Sequence, residues 1–149
     1  MDQNPNVYGI IVGAGILEPE IYTKHKALNL EGKVFFSGIQ TNVKPYYEAM
    51  DVFMMSSSFE GLPIALLEAM SMGCAIVSTD AGGIKEVLSD SENGIVVAVD
   101  EWKSMSKAIL ELAQNPSQLT YFQTEARKRV TENFSIKAMV TQLELVYDA

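Results

Sequence analysis

Short apolar runs alternate along this chain with stretches in which apolar and polar residues mix at helical spacing. The runs at 8–12, 34–37, 52–55, 75–79 and 94–97 read as strands. None alternates strictly in and out, which is the pattern of parallel strands covered on both faces. Stretches at 19–28, 43–50, 63–72 and 84–88 read as the helices between them. The alternation predicts a doubly wound α/β sheet, in which ligands sit beyond the carboxyl ends of the strands. The stretch 63–72 is apolar nearly all round and predicts a buried helix, with Gly73 as a left-handed stop before the next strand. After Val99 the character changes to helix throughout. Asp100 is placed to cap a helix to about residue 113, Asn115-Pro116 opens another through about 132, and Ser135 caps a last one to about 147. No repeat, low-complexity tract or evident linker interrupts the chain, so residues 1–149 read as a single domain.

Composition narrows the class. A chain of 149 residues can bury roughly 68–70% of its unfolded surface. Charged residues are 20% and hydrophobic residues 48%, a globular balance rather than a disordered one. The net charge of −8 lacks the basic footprint of a nucleic-acid binder and disfavours an anionic membrane surface. The N-terminus carries no basic-then-apolar signal pattern, and no apolar run reaches the ~20 residues of a spanning helix. The single cysteine, Cys74, excludes an internal disulfide and makes the cytoplasm the simplest compartment.

The densest chemistry lies in Glu60-Gly61-Leu62-Pro63-Ile64-Ala65-Leu66-Leu67-Glu68. Ser56 to Ser58 leave the strand, Gly61 permits a tight backbone path, and Pro63 suits the first helical position, where its missing N–H costs nothing. Glu60 then stands in the loop, and Glu68 lies about 7.5 Å further along the helix axis at ~1.5 Å per residue. Between the two carboxylates is a helix N-terminus with free N–H groups and a positive dipole end, a seat for phosphate. Carboxylates accept hydrogen bonds from hydroxyls. A ligand with a central diphosphate and hydroxyl-rich rings at both ends matches this layout. Because the overall field is negative, its binding must rest on local donors.

This segment resembles the E-x7-E motif of retaining, nucleotide-sugar-dependent glycosyltransferases of family 4, the group 1 glycosyltransferases, which have the GT-B fold. The similarity runs over about residues 7–147. Its other pieces are Ile11-Val12-Gly13-Ala14-Gly15, Val34-Phe35-Phe36-Ser37-Gly38, Tyr47-Glu48-Ala49-Met50-Asp51-Val52, Glu68-Ala69-Met70-Ser71-Met72-Gly73, Ala81-Gly82-Gly83-Ile84-Lys85-Glu86 and Asn93-Gly94. Each alone is weak; their order and spacing together are specific. The resemblance implies a Rossmann-like parallel sheet with helices on both faces, forming the C-terminal, donor-binding half of a GT-B fold. It also implies that the family's first strand, and the following loop with an Arg and a Lys for the donor diphosphate, are missing here. The acceptor domain is missing too. The chain is thus expected to be a fragment of a longer enzyme, with its sheet closed by an unusual neighbour or completed by another chain through self-association. Losing two charged partners is expected to weaken donor binding by about two to four decades and leave little or no transferase activity.

Carried over residue by residue, the resemblance makes Glu60 the catalytic-centre carboxylate at the donor sugar and Glu68 the partner of the ribose hydroxyls. Gly61, Leu62 and Ile64 would donate backbone N–H groups to phosphate or sugar oxygens. Pro63 stands where many relatives have glycine and cannot donate. Gly13 and Gly15 border the donor cleft in the family, and Ser37 and Gly38 neighbour the base. Gly13-Ala14-Gly15 also opens like a dinucleotide fingerprint, but Glu18 occupies the third glycine's place, which speaks against NAD or FAD. Ser37-Gly38-Ile39 and Gly82-Gly83 equally read as plain turns. Lys85 reads as a solvated lysine, His25 as a surface histidine and Cys74 as an inert buried thiol. No His/Cys/Asp cluster has metal-ligand spacing, so no metal and no cofactor is expected. The substrate would be a nucleotide-diphosphate sugar, and the acceptor a glycan or lipid-linked sugar held by the missing domain. Such a parent would work in the cytoplasm, peripherally at the inner face of a membrane, in polysaccharide assembly. Two other functions stay open: a non-catalytic nucleotide-sugar-binding module, and a glycoside hydrolase using Glu60 and Glu68 as its carboxylate pair.

Overall fold

A computed structural model describes residues 7–147. The order of elements is β1 (Gly9–Val12), α1 (Glu18–Ala27), β2 (Val34–Gly38), α2 (Lys44–Ala49), β3 (Val52–Met55), α3 (Ile64–Ser71), β4 (Ala75–Thr79), α4 (Ile84–Val87), β5 (Ile95–Val97), α5 (Trp102–Gln114), α6 (Pro116–Asn133) and α7 (Ile136–Tyr147). Each expected strand and helix exists in its expected place, and every strand pairing is parallel. The strands form two sheets, β1–β2 and β3–β4–β5, and the chain divides into two compact units at Tyr46–Tyr47.

In the first unit, α1 covers β2. The ring of Tyr22 stacks on Phe36 at 4.3 Å, and His25 meets the same ring edge-on at 5.2 Å. His25 Nε2 also lies 3.1 Å from the carbonyl of Val34. His25 is therefore half-buried and packed, not the free surface residue that its polar helix suggests; aromatic packing outweighed the polarity of its neighbours.

In the second unit, β4 is the central strand and all five of its residues are buried. Its Ala75 and Val77 join Met105, Ala108 and Leu112 of α5 and Phe122 of α6 in one apolar cluster. Ile76 and Ser78 alternate onto the opposite face and are fully buried there. Helices thus cover both faces, with α3, α5 and α6 all packed on β4. Outside β4 the cover is looser. The outer strands stay partly open, with Ile10, Ile11, Phe35 and Met54 exposed, because each ends a sheet. Helix α7 buries none of its side chains within the described residues.

Local signals explain most boundaries. Asn115 caps α6 by accepting from the amide of Gln118 at 3.2 Å, and Ser135 Oγ accepts from the amide of Ala138 at 3.2 Å. Asp100 does not cap α5. Its φ is +67°, Glu101 holds the cap position, and no side chain accepts there. At the end of α3, the amide of Cys74 bonds the carbonyl of Ala69 at 3.0 Å and that of Gly73 bonds Met70 at 3.1 Å. With Gly73 at φ +81°, this is a Schellman stop, and it sends the chain straight into β4.

Candidate functional site

The segment between β3 and α3 begins at the carboxyl end of β3, where α/β sheets place their ligands. Pro63 is the cap residue itself, in extended conformation at φ −74° and ψ 114°, and the helix starts one residue later than its sequence suggests. The extended ψ lets the Pro63 carbonyl turn inward and accept from Leu66 at 3.1 Å. No side chain caps this end. The first amides of a helix lack intrahelical acceptors, so the start of α3 offers donors to an external anion. Helix α3 is buried along Leu66, Ala69 and Met70, a single stripe at helical spacing. Ile64 and Glu68 point to solvent, so the helix is not buried all round as its apolar composition implies. That exposure is what leaves Glu68 available to a ligand.

Glu60 is held by its own loop. Ser57 Oγ donates to Glu60 Oε1 at 2.6 Å. The carbonyl of Ser57 in turn accepts from Thr79 Oγ1, at the end of the buried β4, at 2.5 Å. The carboxylate is thereby referenced to the central strand through one short chain of hydrogen bonds. Phe59, 85% exposed, and Leu62 flank it on the solvent side.

The backbone of the same loop rests on Gly82-Gly83. The amide of Gly83 donates to the carbonyl of Glu60 at 3.2 Å. A Cβ on Gly82 would lie 1.8 Å from that carbonyl oxygen, and one on Gly83 would lie 2.3 Å from the carbonyl of Gly61. Gly82 also has φ +54°. Gly61, by contrast, has open space where a Cβ would stand and no left-handed φ. The tight path expected at Gly61 belongs instead to the glycines across from it. Lys85 remains exposed but pairs with Asp80, so it is not a simply solvated cation.

The carboxylate of Glu68 accepts from the phenol of Tyr47, which meets Oε2 at 3.0 Å. Burial, then the hydrogen bond and charge of Glu68, push the Tyr47 phenol from 10.0 up to about 12. Burial, with the Asp51 carboxylate adding, pushes the Cys74 thiol from 9.0 up to about 11. That keeps Cys74 a protonated, unreactive thiol, as its apolar strand predicts.

The remaining candidates lie in the first unit and come together there. The register of β1 on β2 slips between Ile11 and Val12, so that Val12 pairs with Gly38 and Ser37 is passed over. Ser37 Oγ reaches back to the carbonyl of Ile11 at 3.3 Å, and the amide of Gly13 donates to the carbonyl of Gly38 at 2.8 Å. Gly13 at φ +119° and Gly38 at φ +65° adopt backbone that disfavours other residues. Gly15 shows neither a positive φ nor a close neighbour, and nothing in the structure explains it.

Sequence reasoning did not single out Ser57, Thr79 or Tyr47. Ser57 sat in a visible serine run and Tyr47 in a motif-like stretch, but their partners are set only by folding. A depression of about 520 Å³ lies elsewhere, at the C-terminal end of α3 against α6, and touches none of the candidate residues. Its walls include Gly73, Arg127 and Lys128. No helix among the described residues is long and apolar enough to cross a membrane.

The family model for glycosyl transferases group 1 matches residues 1–129. The chain belongs to this family. It is 32% identical over 121 residues to the N-acetylgalactosamine-N,N'-diacetylbacillosaminyl-diphospho-undecaprenol 4-alpha-N-acetylgalactosaminyltransferase of Campylobacter jejuni, covering 80% of this chain and 33% of that protein. It is 30% identical to the lipopolysaccharide core biosynthesis glycosyltransferase LpsE of Rhizobium meliloti, covering 91% and 40%. The chain thus spans about a third to two fifths of the length of these curated relatives. Among solved structures, Anabaena HepE in complex with UDP superimposes with a TM-score of 0.90 at 22% identity, covering 97% of this chain and 42% of that one. The C-terminal domain of a group 1 family glycosyl transferase from Francisella tularensis superimposes with a TM-score of 0.77 at 20% identity, covering 91% and 90%. The parallel sheets with helices on both sides are therefore the GT-B glycosyltransferase fold.

Proposed function

We propose that this chain is the donor-binding part of a retaining family 4 glycosyltransferase that transfers a hexosyl unit from a nucleotide-diphosphate sugar to an acceptor hydroxyl. The acceptor, a glycan or lipid-linked sugar, would be held by sequence that this chain does not contain. Glu60 attends the donor sugar, Glu68 the ribose hydroxyls, and the amides of Gly61, Leu62 and Ile64 the oxygens between them. Gly13, Gly15, Ser37 and Gly38 are assigned to the cleft border and the base. The observation that carries the reading is an uncapped start of α3 with an anchored carboxylate on each side of it. As the glycosidic bond to the diphosphate breaks, charge grows on the departing oxygens, and fixed N–H donors stabilise it without reorganising. That HepE was captured with UDP supports a nucleotide donor. Work in the cytoplasm at the inner face of a membrane fits relatives that build lipopolysaccharide core.

Titration of the 149-residue chain with UDP-, GDP- and ADP-sugars, followed by amide NMR, tests this. The expected response is millimolar binding with shifts confined to the amides of 60–68 and the loops of the first unit. No response at 60–68 overturns the donor assignment. Micromolar affinity overturns the view that cationic donor contacts lie outside the chain.

The sheet edges support a second element of the proposal. Among the described residues, strand β1 pairs only with β2, and β3 only with β4, so each keeps an unpaired edge there. Such edges template pairing with another chain, and we propose that the isolated chain self-associates through them. Sedimentation over a concentration series should show dimers or larger species; a strict monomer at every concentration rejects it.

A further inference from the structure

We infer that Tyr47 is a positioning residue for the ribose end of the donor: its phenol fixes one oxygen of Glu68 and leaves the other as the acceptor for the sugar hydroxyls. The inference rests on the donor-binding role of Glu68 and adds a residue to it.

Glu68 stands on the exposed side of α3, and an exposed glutamate has three side-chain torsions to settle. A carboxylate that must meet two vicinal hydroxyls gains affinity if those torsions are set beforehand. The donor that sets them is itself rigid. Tyr47 is only 8% exposed. Its ring packs against Phe53 of β3 with centroids 6.0 Å apart. Its main chain is tied down by Cys74, whose Sγ lies 3.4 Å from the Tyr47 carbonyl. The phenol oxygen, the polar tip of this buried ring, meets Glu68 Oε2 at 3.0 Å. An ionised carboxylate only accepts, so the phenol is the donor. With its ionisation pushed up to about 12, the phenol keeps its proton at every working pH. The bond therefore references Glu68 to β3, much as Thr79 and Ser57 reference Glu60 to β4.

The geometry also separates positioning from stability. Glu68 is exposed, so water replaces the lost donor when the hydroxyl is removed, and a phenylalanine fills the same space against Phe53. Folding should change little, while the orientation of the carboxylate loosens.

The test uses the 149-residue chain with Tyr47→Phe, Glu68→Ala and the double variant. Each is titrated by NMR with UDP, GDP and ADP and with their 2′-deoxy and 3′-deoxy counterparts. Tyr47→Phe is expected to cut the preference for ribose over its deoxy forms by about three- to tenfold, short of the more than tenfold effect of losing a full hydrogen bond to a charged group, because the carboxylate is loosened and not removed. Its melting temperature should barely move, and it should add nothing once Glu68 is alanine. If Glu68→Ala abolishes the preference and Tyr47→Phe leaves it intact, this inference fails and the donor reading stands. If no nucleotide disturbs the amides of 60–68 in the unaltered chain, both fail. A measurement independent of how Tyr47→Phe folds is the phenol titration of Tyr47 itself. Glu68→Ala should lower it from about 12, and an unchanged value would show that the contact does not form.

Discussion

Gly82→Ala is expected to destabilise the chain by about 3 kcal/mol, through a steric clash and a left-handed backbone acting together. The added methyl carbon would sit 1.8 Å from the carbonyl oxygen of Glu60, a backbone atom that no side-chain rotation can move away. The φ of +54° adds the cost that any L side chain meets there. For a chain of this size such a loss lowers the melting temperature by roughly 6–12 °C. Gly83→Ala separates the two causes. Its φ is −77°, so it carries no conformational penalty, yet its Cβ would lie 2.3 Å from the Gly61 carbonyl. It should cost about 1–3 kcal/mol by crowding alone. Both substitutions push on the backbone that presents Glu60 and Gly61, so both should blunt the NMR response of 60–68 to nucleotide. Thermal melts of the two variants check this. If both melt within a degree or two of the parent chain, the loops are not in contact and the support of Glu60 described above is wrong.

These glycines show where a linear reading stops. The dipeptide Gly82-Gly83 is plainly a turn in the sequence, and a turn is what forms. That the turn also braces Glu60, some twenty residues earlier, depends on β3 and β4 lying side by side, which no local pattern encodes. The strands were legible because parallel, buried strands leave continuous apolar runs, and β4 is the clearest case. The helices were legible because Asn115, Ser135 and Gly73 are stop and start signals with a local mechanism. Asp100 misled because a good capping side chain acts only from cap geometry, and here the chain enters α5 one residue later. The carboxylates of the candidate site stand out in the sequence by their spacing around Pro63. Their supports, Ser57 with Thr79 and Tyr47, do not, because each hydrogen bond crosses from one element to another. Sequence spacing finds candidate ligand-facing groups more readily than the groups that hold them in place.

The second large effect lies two residues inside the candidate phosphate seat. Leu66 is fully buried where α3 packs on β4 and α6, while Ile64 on the same helix is 63% exposed. Leu66→Ala removes buried methyl groups and leaves a cavity in a close-packed layer, which costs about 2–5 kcal/mol. Ile64→Ala removes a similar volume from the solvent side and should stay within about 0.5 kcal/mol of neutral. By composition the two are interchangeable apolar residues on an apolar helix; only burial tells them apart. The contrast bears on function because Leu66 fixes the angle at which α3 begins. Its amide bonds the Pro63 carbonyl and closes the first turn. A helix start that presents donors to a diphosphate must not rock, and the buried stripe of Leu66, Ala69 and Met70 is what prevents it. Denaturant melts of both variants, with amide exchange across 64–68, give the result. Leu66→Ala should lower the midpoint and speed exchange at the start of α3, and Ile64→Ala should do neither. Equal destabilisation by the two would mean that the solvent side of α3 is also packed, leaving neither Glu68 nor the helix start open to a ligand.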